Sequence, residues 1–265
     1  MIIGYVQTSP EFGKKERNFK QVLELTEGVK ADLLVLPELF ASGYTFISRQ
    51  EVSDLSEPVE GPTGAFLREL AARTGGAVVA GFPEKSGDLF YNSSMLVDAS
   101  GVLGVYRKIH LFAREKEWFA PGDRPFAVYR LPDAVVGMMI CFDWIFPEAA
   151  RSLALLGAQV IAHPANLVLP YCQEAMKTRC IENRVFAVTA NRLGREKRGK
   201  DDLTFTGASQ ITRCGGAVIW RADTDNSGVR TLEIEPSDAY DKHVTRYNDV
   251  FVDRRTDLYN LKTEK

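Results

Sequence analysis

No apolar run in this chain approaches the roughly 18 residues that a membrane-spanning helix needs, so no span is expected. Neither basic nor acidic residues are in marked excess. With 33 basic and 35 acidic residues the net charge is −2, which argues against a general nucleic-acid binder. The opening Met1-Ile2-Ile3-Gly4-Tyr5-Val6-Gln7 has no basic leader and reads as a strand. A secretory signal is therefore not expected, and the cytoplasm is the expected compartment. The four cysteines (Cys141, Cys172, Cys180 and Cys214) form no C-x-x-C pair and no zinc-type spacing. Helix between Cys172 and Cys180 would hold them about 12 Å apart, too far for a disulfide, so reduced thiols are expected. Only three histidines occur, His110, His163 and His243, which limits metal and Cys–His schemes. No Pro/Gly/Ser linker, low-complexity tract or solenoid repeat interrupts the sequence. One α/β domain over residues 1–265 is expected, with strands sandwiched between helix layers and a tail from about residue 238 that must pack on the domain or on a partner.

What is present is organised around the stretch from Val135 to Glu148. Ala134 to Phe142 holds only apolar residues and Gly137, the pattern of a buried central strand. Pro147 and Glu148 then open a helix that Gly157 ends. Cys141 is thus expected where a strand stops and a helix is about to start, a place that exposes a thiol to backbone N–H groups. An inert buried cysteine is the competing reading.

The chain opens with strand 1–7, a helix over Lys14–Lys30 and a strand over Asp32–Leu36, a βαβ unit closed by Pro37-Glu38. The unit at 134–164 has the same pattern. A helix over Thr63–Thr74 and short strands at Ala77–Phe82, Phe90–Val97 and Val102–Tyr106 follow the first unit, and 107–125 reads as irregular. Further on, a strand over Gln159–His163, a helix over Gln173–Arg184 and a strand over Phe186–Asn191 are expected. Gly194–Asp202 reads as a mobile, solvated loop. Ala208–Thr212, Ala217–Arg221 and Val229–Ile234 read as strands of an antiparallel half.

Three ionisable residues fall at strand ends: Glu38, Lys108 and Cys141. Singly, Glu38 suits a turn cap or an ion pair, and Lys108 a solvated basic pair with Arg107. Together they form a working set. A carboxylate kept from bulk water can take a thiol proton, and an ammonium with a backbone N–H can stabilise the charge that attack on a carbonyl or nitrile creates. Such chemistry requires no metal and no organic cofactor.

Leu-Pro-Glu-Leu-Phe-Ala-Ser-Gly-Tyr (36–44), Tyr-Arg-Lys-Ile-His-Leu-Phe (106–112) and Ile-Cys-Phe-Asp-Trp-Ile-Phe-Pro-Glu-Ala-Ala-Arg (140–151) resemble the three motifs of the nitrilase superfamily of carbon–nitrogen hydrolases. Tyr-Asn-Ser (91–93), His-Pro-Ala-Asn-Leu (163–167) and Glu-Asn-Arg (182–184) match it in order. The resemblance implies a four-layer α-β-β-α sandwich, usually paired as a homodimer, with Tyr247–Tyr259 as a dimer element. It implies Glu38 as general base, Lys108 as oxyanion stabiliser and Cys141 as nucleophile. A second glutamate is Glu115, with Glu117 the alternative. Phe142 would supply an oxyanion N–H, while Trp144, Asn166, Tyr44 and Asn92 are candidates to line the pocket. The implied substrate is a small aliphatic amide, with a nitrile or N-carbamoyl compound as alternatives. Three rivals remain: a metal-dependent hydrolase drawing on Asp32, Glu38, Asp143 and His163, a Cys–His hydrolase using His110 or His163, and a non-catalytic binding module that retains the fold.

Overall fold

The computed structural model describes residues 1–261; the last residues of the expected domain, 262–265, lie outside them. In chain order the first half comprises β1 (Ile2–Gln7), α1 (Lys15–Leu25), β2 (Leu33–Val35), α2 (Arg49–Leu55), α3 (Pro62–Thr74), β3 (Ala77–Ser86), β4 (Leu89–Asp98), β5 (Gly101–Arg107) and α4 (Glu115–Trp118). The second half adds β6 (Val128–Arg130), β7 (Val135–Met138), α5 (Pro147–Leu155), β8 (Val160–Ala165), α6 (Cys172–Asn183), β9 (Phe186–Asn191), β10 (Leu193–Arg198), β11 (Asp201–Thr206), β12 (Gln210–Thr212), β13 (Val218–Arg221) and β14 (Gly228–Glu233). A small hairpin of β15 (His243–Thr245) and β16 (Asn248–Asp249) lies in the tail.

Two six-stranded sheets result, ordered β14-β1-β2-β3-β4-β5 and β13-β12-β9-β8-β7-β6. Alternation of side chains along each strand explains how they stack. In the first sheet Ile3, Leu33, Val35, Ala77 and Val79 enter the core shared with the second sheet. Their neighbours Val6, Leu34, Val78 and Ala80 turn outward onto α1 and α3, where Val22, Phe66, Leu67 and Leu70 cover them. Strands covered on both faces must be apolar throughout, hence the runs Leu33-Leu34-Val35 and Val78-Val79-Ala80. On the far side, Leu153 of α5 and Met176 and Cys180 of α6 close the shared core. The layers are helix, sheet, sheet, helix.

Both βαβ units pair in parallel, β1 with β2 and β7 with β8. This brings the carboxyl ends of β2, β5, β7 and β8 to one end of the sandwich, where open α/β sheets place their ligands.

Several sequence expectations are corrected. The strand expected over 134–142 stops at Met138, and Cys141–Ile145 forms a 3-10 turn. Strand β14 pairs antiparallel with β1 in the first sheet, rather than joining β12 and β13 in the second. The region 107–125 contains the one-turn α4. The segment Gly194–Asp202 is no mobile loop; β10 and β11 pair from Leu193↔Thr206 to Arg198↔Asp201. Its charged look misled because only alternate side chains face inward. Arg195 and Lys197 are exposed, while Glu196 between them is buried.

Candidate active site

The loop after β2 is pressed against β3. A Cβ at Gly81 would meet Glu38 Cα at 2.5 Å, so only glycine lets the chain bearing Glu38 pass so close. Glu38 is wholly buried. Its Oε1 accepts from Lys108 Nζ and Asn92 Nδ2, both at 2.7 Å. Among the described residues its Oε2 has no hydrogen-bond partner. Burial pushes its carboxyl above the usual carboxylate range, with Lys108 pulling the other way and Glu115 adding to the rise.

Lys108 follows β5 and is also wholly buried. Its ammonium donates to Glu38 and, at 2.8 Å, to Glu115 Oε1. Burial works against its charge, but Glu115 and Glu38 outweigh burial and hold the ammonium firmly protonated. An ammonium has three donors, so one N–H remains once both carboxylates are served. The helical turn of α4 sets the two glutamates of that loop on different faces. Glu115 faces inward and is buried, whereas the exposed Glu117 pairs with Arg114. Glu115 Oε1 also accepts from the Tyr44 hydroxyl at 2.6 Å, and its Oε2 accepts from the Phe112 N–H at 3.2 Å. Burial and the nearby Glu115 and Glu38 charges raise the Tyr44 phenol well above its ordinary range, so Tyr44 stays a donor.

Cys141 stands at φ 42°, a left-handed backbone that non-glycine residues adopt at a cost. Two neighbours hold it there. The Asp143 carboxylate accepts from the Ile140 N–H at 2.8 Å and from the Tyr106 hydroxyl at 2.8 Å, and also faces His110 Nδ1 at 2.7 Å. His163 Nε2 lies 2.9 Å from the Cys141 carbonyl, and Nδ1 lies 3.1 Å from Thr189 Oγ1. Burial lowers the His163 pKa to about 4. The neutral ring must therefore donate from Nε2 to the carbonyl and accept at Nδ1 from the threonine hydroxyl. Burial and Glu38 raise the Cys141 thiol well above its ordinary range despite Lys108, so its resting form is the thiol. Asn166 Nδ2 donates to the Glu38 carbonyl at 2.9 Å.

Phe142 and Trp144, with Phe112, Asn166, Leu167, Val168 and Leu169, line a cavity of about 10 Å³ at Cys141. A second cavity, of about 60 Å³, lies beside Glu115 among Tyr44, Phe46, Trp118, Phe119 and Leu203. Phe112 walls both. Sequence reasoning missed Phe112 as anything beyond part of a motif, since a single aromatic in an irregular segment carries no periodicity.

The rival constellations do not assemble. Asp32 accepts from the Ile2 N–H at the opening of β2, at the opposite end of that strand from Glu38. Among the described residues, no group of three His, Cys, Asp or Glu could hold a metal ion. Both ring nitrogens of His163 are engaged away from the thiol, and His110 turns to Asp143. Cys172 and Cys180 are buried in α6 and Cys214 is half-buried, all as free thiols.

Carbon–nitrogen hydrolases match this chain over residues 2–243. The chain belongs to the carbon–nitrogen hydrolase family. A nitrilase of Pyrococcus abyssi is 46% identical over 261 residues, covering 97% of this chain and 98% of that protein. An (R)-stereoselective amidase of a Pseudomonas species is 35% identical over 270 residues, covering 100% of this chain and 95% of that protein. In fold, an amidase from Nesterenkonia is similar at a TM-score of 0.80 with 24% identity, over 97% of this chain and 94% of that one. This carbon–nitrogen hydrolase is thus a member of the nitrilase superfamily with its α-β-β-α sandwich.

Proposed function

We propose that this hydrolase cleaves a small, neutral aliphatic amide to its carboxylic acid and ammonia through a thioester on Cys141. The supporting observation is Cys141 beside Glu38, Lys108 and Glu115, under a small cavity lined mainly by Phe112, Phe142, Trp144, Leu167 and Val168. None of the cavity-lining side chains carries a fixed charge, so a substrate with a charged tail finds no partner there.

In the first half-reaction the unpartnered Oε2 of Glu38 takes the thiol proton as Cys141 Sγ bonds to the amide carbon. The carbonyl π electrons move onto oxygen, which the remaining Lys108 N–H and the Phe142 backbone N–H hold. Collapse reforms the carbonyl and breaks the C–N bond, and Glu38 delivers its proton to the departing nitrogen as ammonia leaves. In the second half-reaction Glu38 takes a proton from water, positioned with Glu115, and the hydroxide attacks the thioester. Breaking the C–S bond frees the acid, and the proton returns to sulfur. The raised Glu38 carboxyl suits a group that must accept and return a proton.

A nitrile is the second reading, favoured by the relative named a nitrilase. Attack would pass through a thioimidate, hydrolysed to the same thioester. Ammonia release from matched amide and nitrile pairs, with wild type and Cys141→Ala, separates them. Release from the amides alone, lost in the variant, supports the amidase. Faster acid formation from the nitriles supports the second reading. Silence on both rejects both and directs the assay to carbamoyl compounds.

The cytoplasm and a homodimer complete the reading. Among the described residues no helix is long and apolar enough to cross a membrane. Tyr240, Tyr247, Val252 and Leu258 of the tail are all exposed, and a second copy would cover such apolar groups. A monomeric mass from light scattering at micromolar concentration would reject the dimer.

A further inference from the structure

A buried ion pair outside the catalytic cluster ties Glu196, on β10 of the β10–β11 hairpin, to Arg192, the residue just before that strand. Arg192 is 1% exposed and Glu196 6%. Arg192 Nη1 lies 3.0 Å from Glu196 Oε2, Nη2 donates to the Pro10 carbonyl at 3.2 Å, and the guanidinium stacks 4.0 Å from the centroid of Phe205. A pair so deep needs more than its own attraction to compensate for the hydration it loses.

Its second contact is with the loop after Glu38. Glu196 Oε1 accepts from the N–H of Tyr44 at 3.1 Å and from that of Thr45. The Tyr44 ring meets Phe205 edge-on at 5.8 Å between centroids. One strand register further along, Arg198 Nη1 donates to the Thr45 carbonyl at 2.7 Å and Nη2 pairs with Glu51 at 2.7 Å. Gly43, at φ 81°, lets the loop turn here; a Cβ on it would lie 2.8 Å from Phe12 Cα and 3.1 Å from Glu196 Oε2. Backbone and ring of Tyr44 are thus both fixed by the hairpin, and its hydroxyl ends 2.6 Å from Glu115 Oε1, the oxygen that Lys108 also touches.

We propose that Glu196, held by Arg192, is a positioning residue for the reaction: it fixes the Tyr44–Thr45 backbone so that the Tyr44 hydroxyl sets Glu115 against Lys108. This rests on Glu115 serving the reacting centre, as read above. The hairpin thereby links the ammonium read as the oxyanion stabiliser to the buried Arg192–Glu196 pair. Glu115 has two oxygens and a flexible stem; Tyr44 and the Phe112 N–H each fix one oxygen. Without Tyr44 in place, the carboxylate has room to rotate away from Lys108, and the ammonium loses the geometry it needs at the developing oxyanion.

The test uses Glu196→Gln, Tyr44→Phe, the double variant and Glu115→Gln in the full-length protein. Glu196→Gln keeps one acceptor oxygen but turns an amide N–H toward Arg192. It should lower kcat by about ten- to a hundredfold, the range for a lost hydrogen bond to a charged group, with KM little changed. Tyr44→Phe should cost a similar factor. The double variant should be no worse than the poorer single variant, because both act through one hydroxyl. Losses that multiply, or a Glu196→Gln kcat within twofold of wild type, would overturn the proposal. If Glu196→Gln does not fold, the paired Arg192→Met/Glu196→Gln variant leaves no lone buried charge and carries the same comparison. Full turnover in Glu115→Gln would instead reject the site reading itself, a result distinct from failure of the clamp alone.

Discussion

Lys108 Nζ lies 2.7 Å from Glu38 Oε1, and both side chains are wholly buried. Because Glu115 shares the same ammonium, the cluster holds two carboxylates against one cation. The two partners should therefore respond differently to removal. Lys108→Met leaves two buried carboxylates unneutralised and should cost about 3 kcal/mol or more of stability along with turnover. Glu38→Gln still leaves Lys108 paired with Glu115. It should abolish turnover yet stay within about 1 kcal/mol of wild-type stability, or exceed it. Chemical denaturation of the two variants checks this, and equal losses of stability would contradict it.

Strain at the proposed nucleophile gives a second expectation. Cys141 sits at φ 42°, where a side chain costs roughly 1–2 kcal/mol that glycine does not pay. Cys141→Ala and Cys141→Gly should both be inactive, with the glycine variant the more stable by about 1 kcal/mol. That order reverses the usual penalty for glycine. A less stable glycine variant would show that the turn is relaxed.

Legibility of the site followed chemical type. Glu38, Lys108 and Cys141 stood out because ionisable groups directly follow apolar strands, and motifs carried the rest. The motif favoured Glu115 with Glu117 as the alternative; burial on the inward face of a single turn of α4 separates the two, and so short a helix shows no periodicity. Strand β6, three residues long, was invisible for the same reason. The partner of β14 was misjudged because sheet pairing with β1 is a choice made across the whole chain. The Arg192–Glu196 pair hid in a charged run, since a carboxylate facing inward on a strand looks like any solvated one until its cation is placed.

Phe112 separates the cavity at Cys141 from the larger one beside Glu115. Its ring packs on Phe142 with centroids 5.0 Å apart. Phe112→Ala should join the two spaces into one apolar acyl site. The ratio of kcat/KM for hexanamide over propionamide should then rise by about tenfold or more, since each methylene buried is worth roughly 1 kcal/mol. Steady-state kinetics across a chain-length series reads this directly. An unchanged ratio would mean that the acyl chain leaves the site by another route.

His163 links the site to acid stability. Its pKa is lowered from 6.5 to about 4 by burial, so the native ring stays neutral where the unfolded chain binds a proton. Between those two values the unfolded state holds more protons, and unfolding free energy falls as pH drops, by about 3 kcal/mol across the window. His163→Gln keeps an N–H for the Cys141 carbonyl but has nothing to titrate. The stability gap between wild type and His163→Gln should therefore move in the variant's favour from pH 7 to pH 4.5. The raised Glu38 carboxyl works with the opposite sign, since the native state there binds its proton first. It is common to both proteins and cancels in the difference. Urea titrations at a series of pH values measure that difference. A gap independent of pH would mean that the His163 ring takes a proton in the folded protein, and then its Nδ1–H would have to donate to Thr189 rather than accept from it.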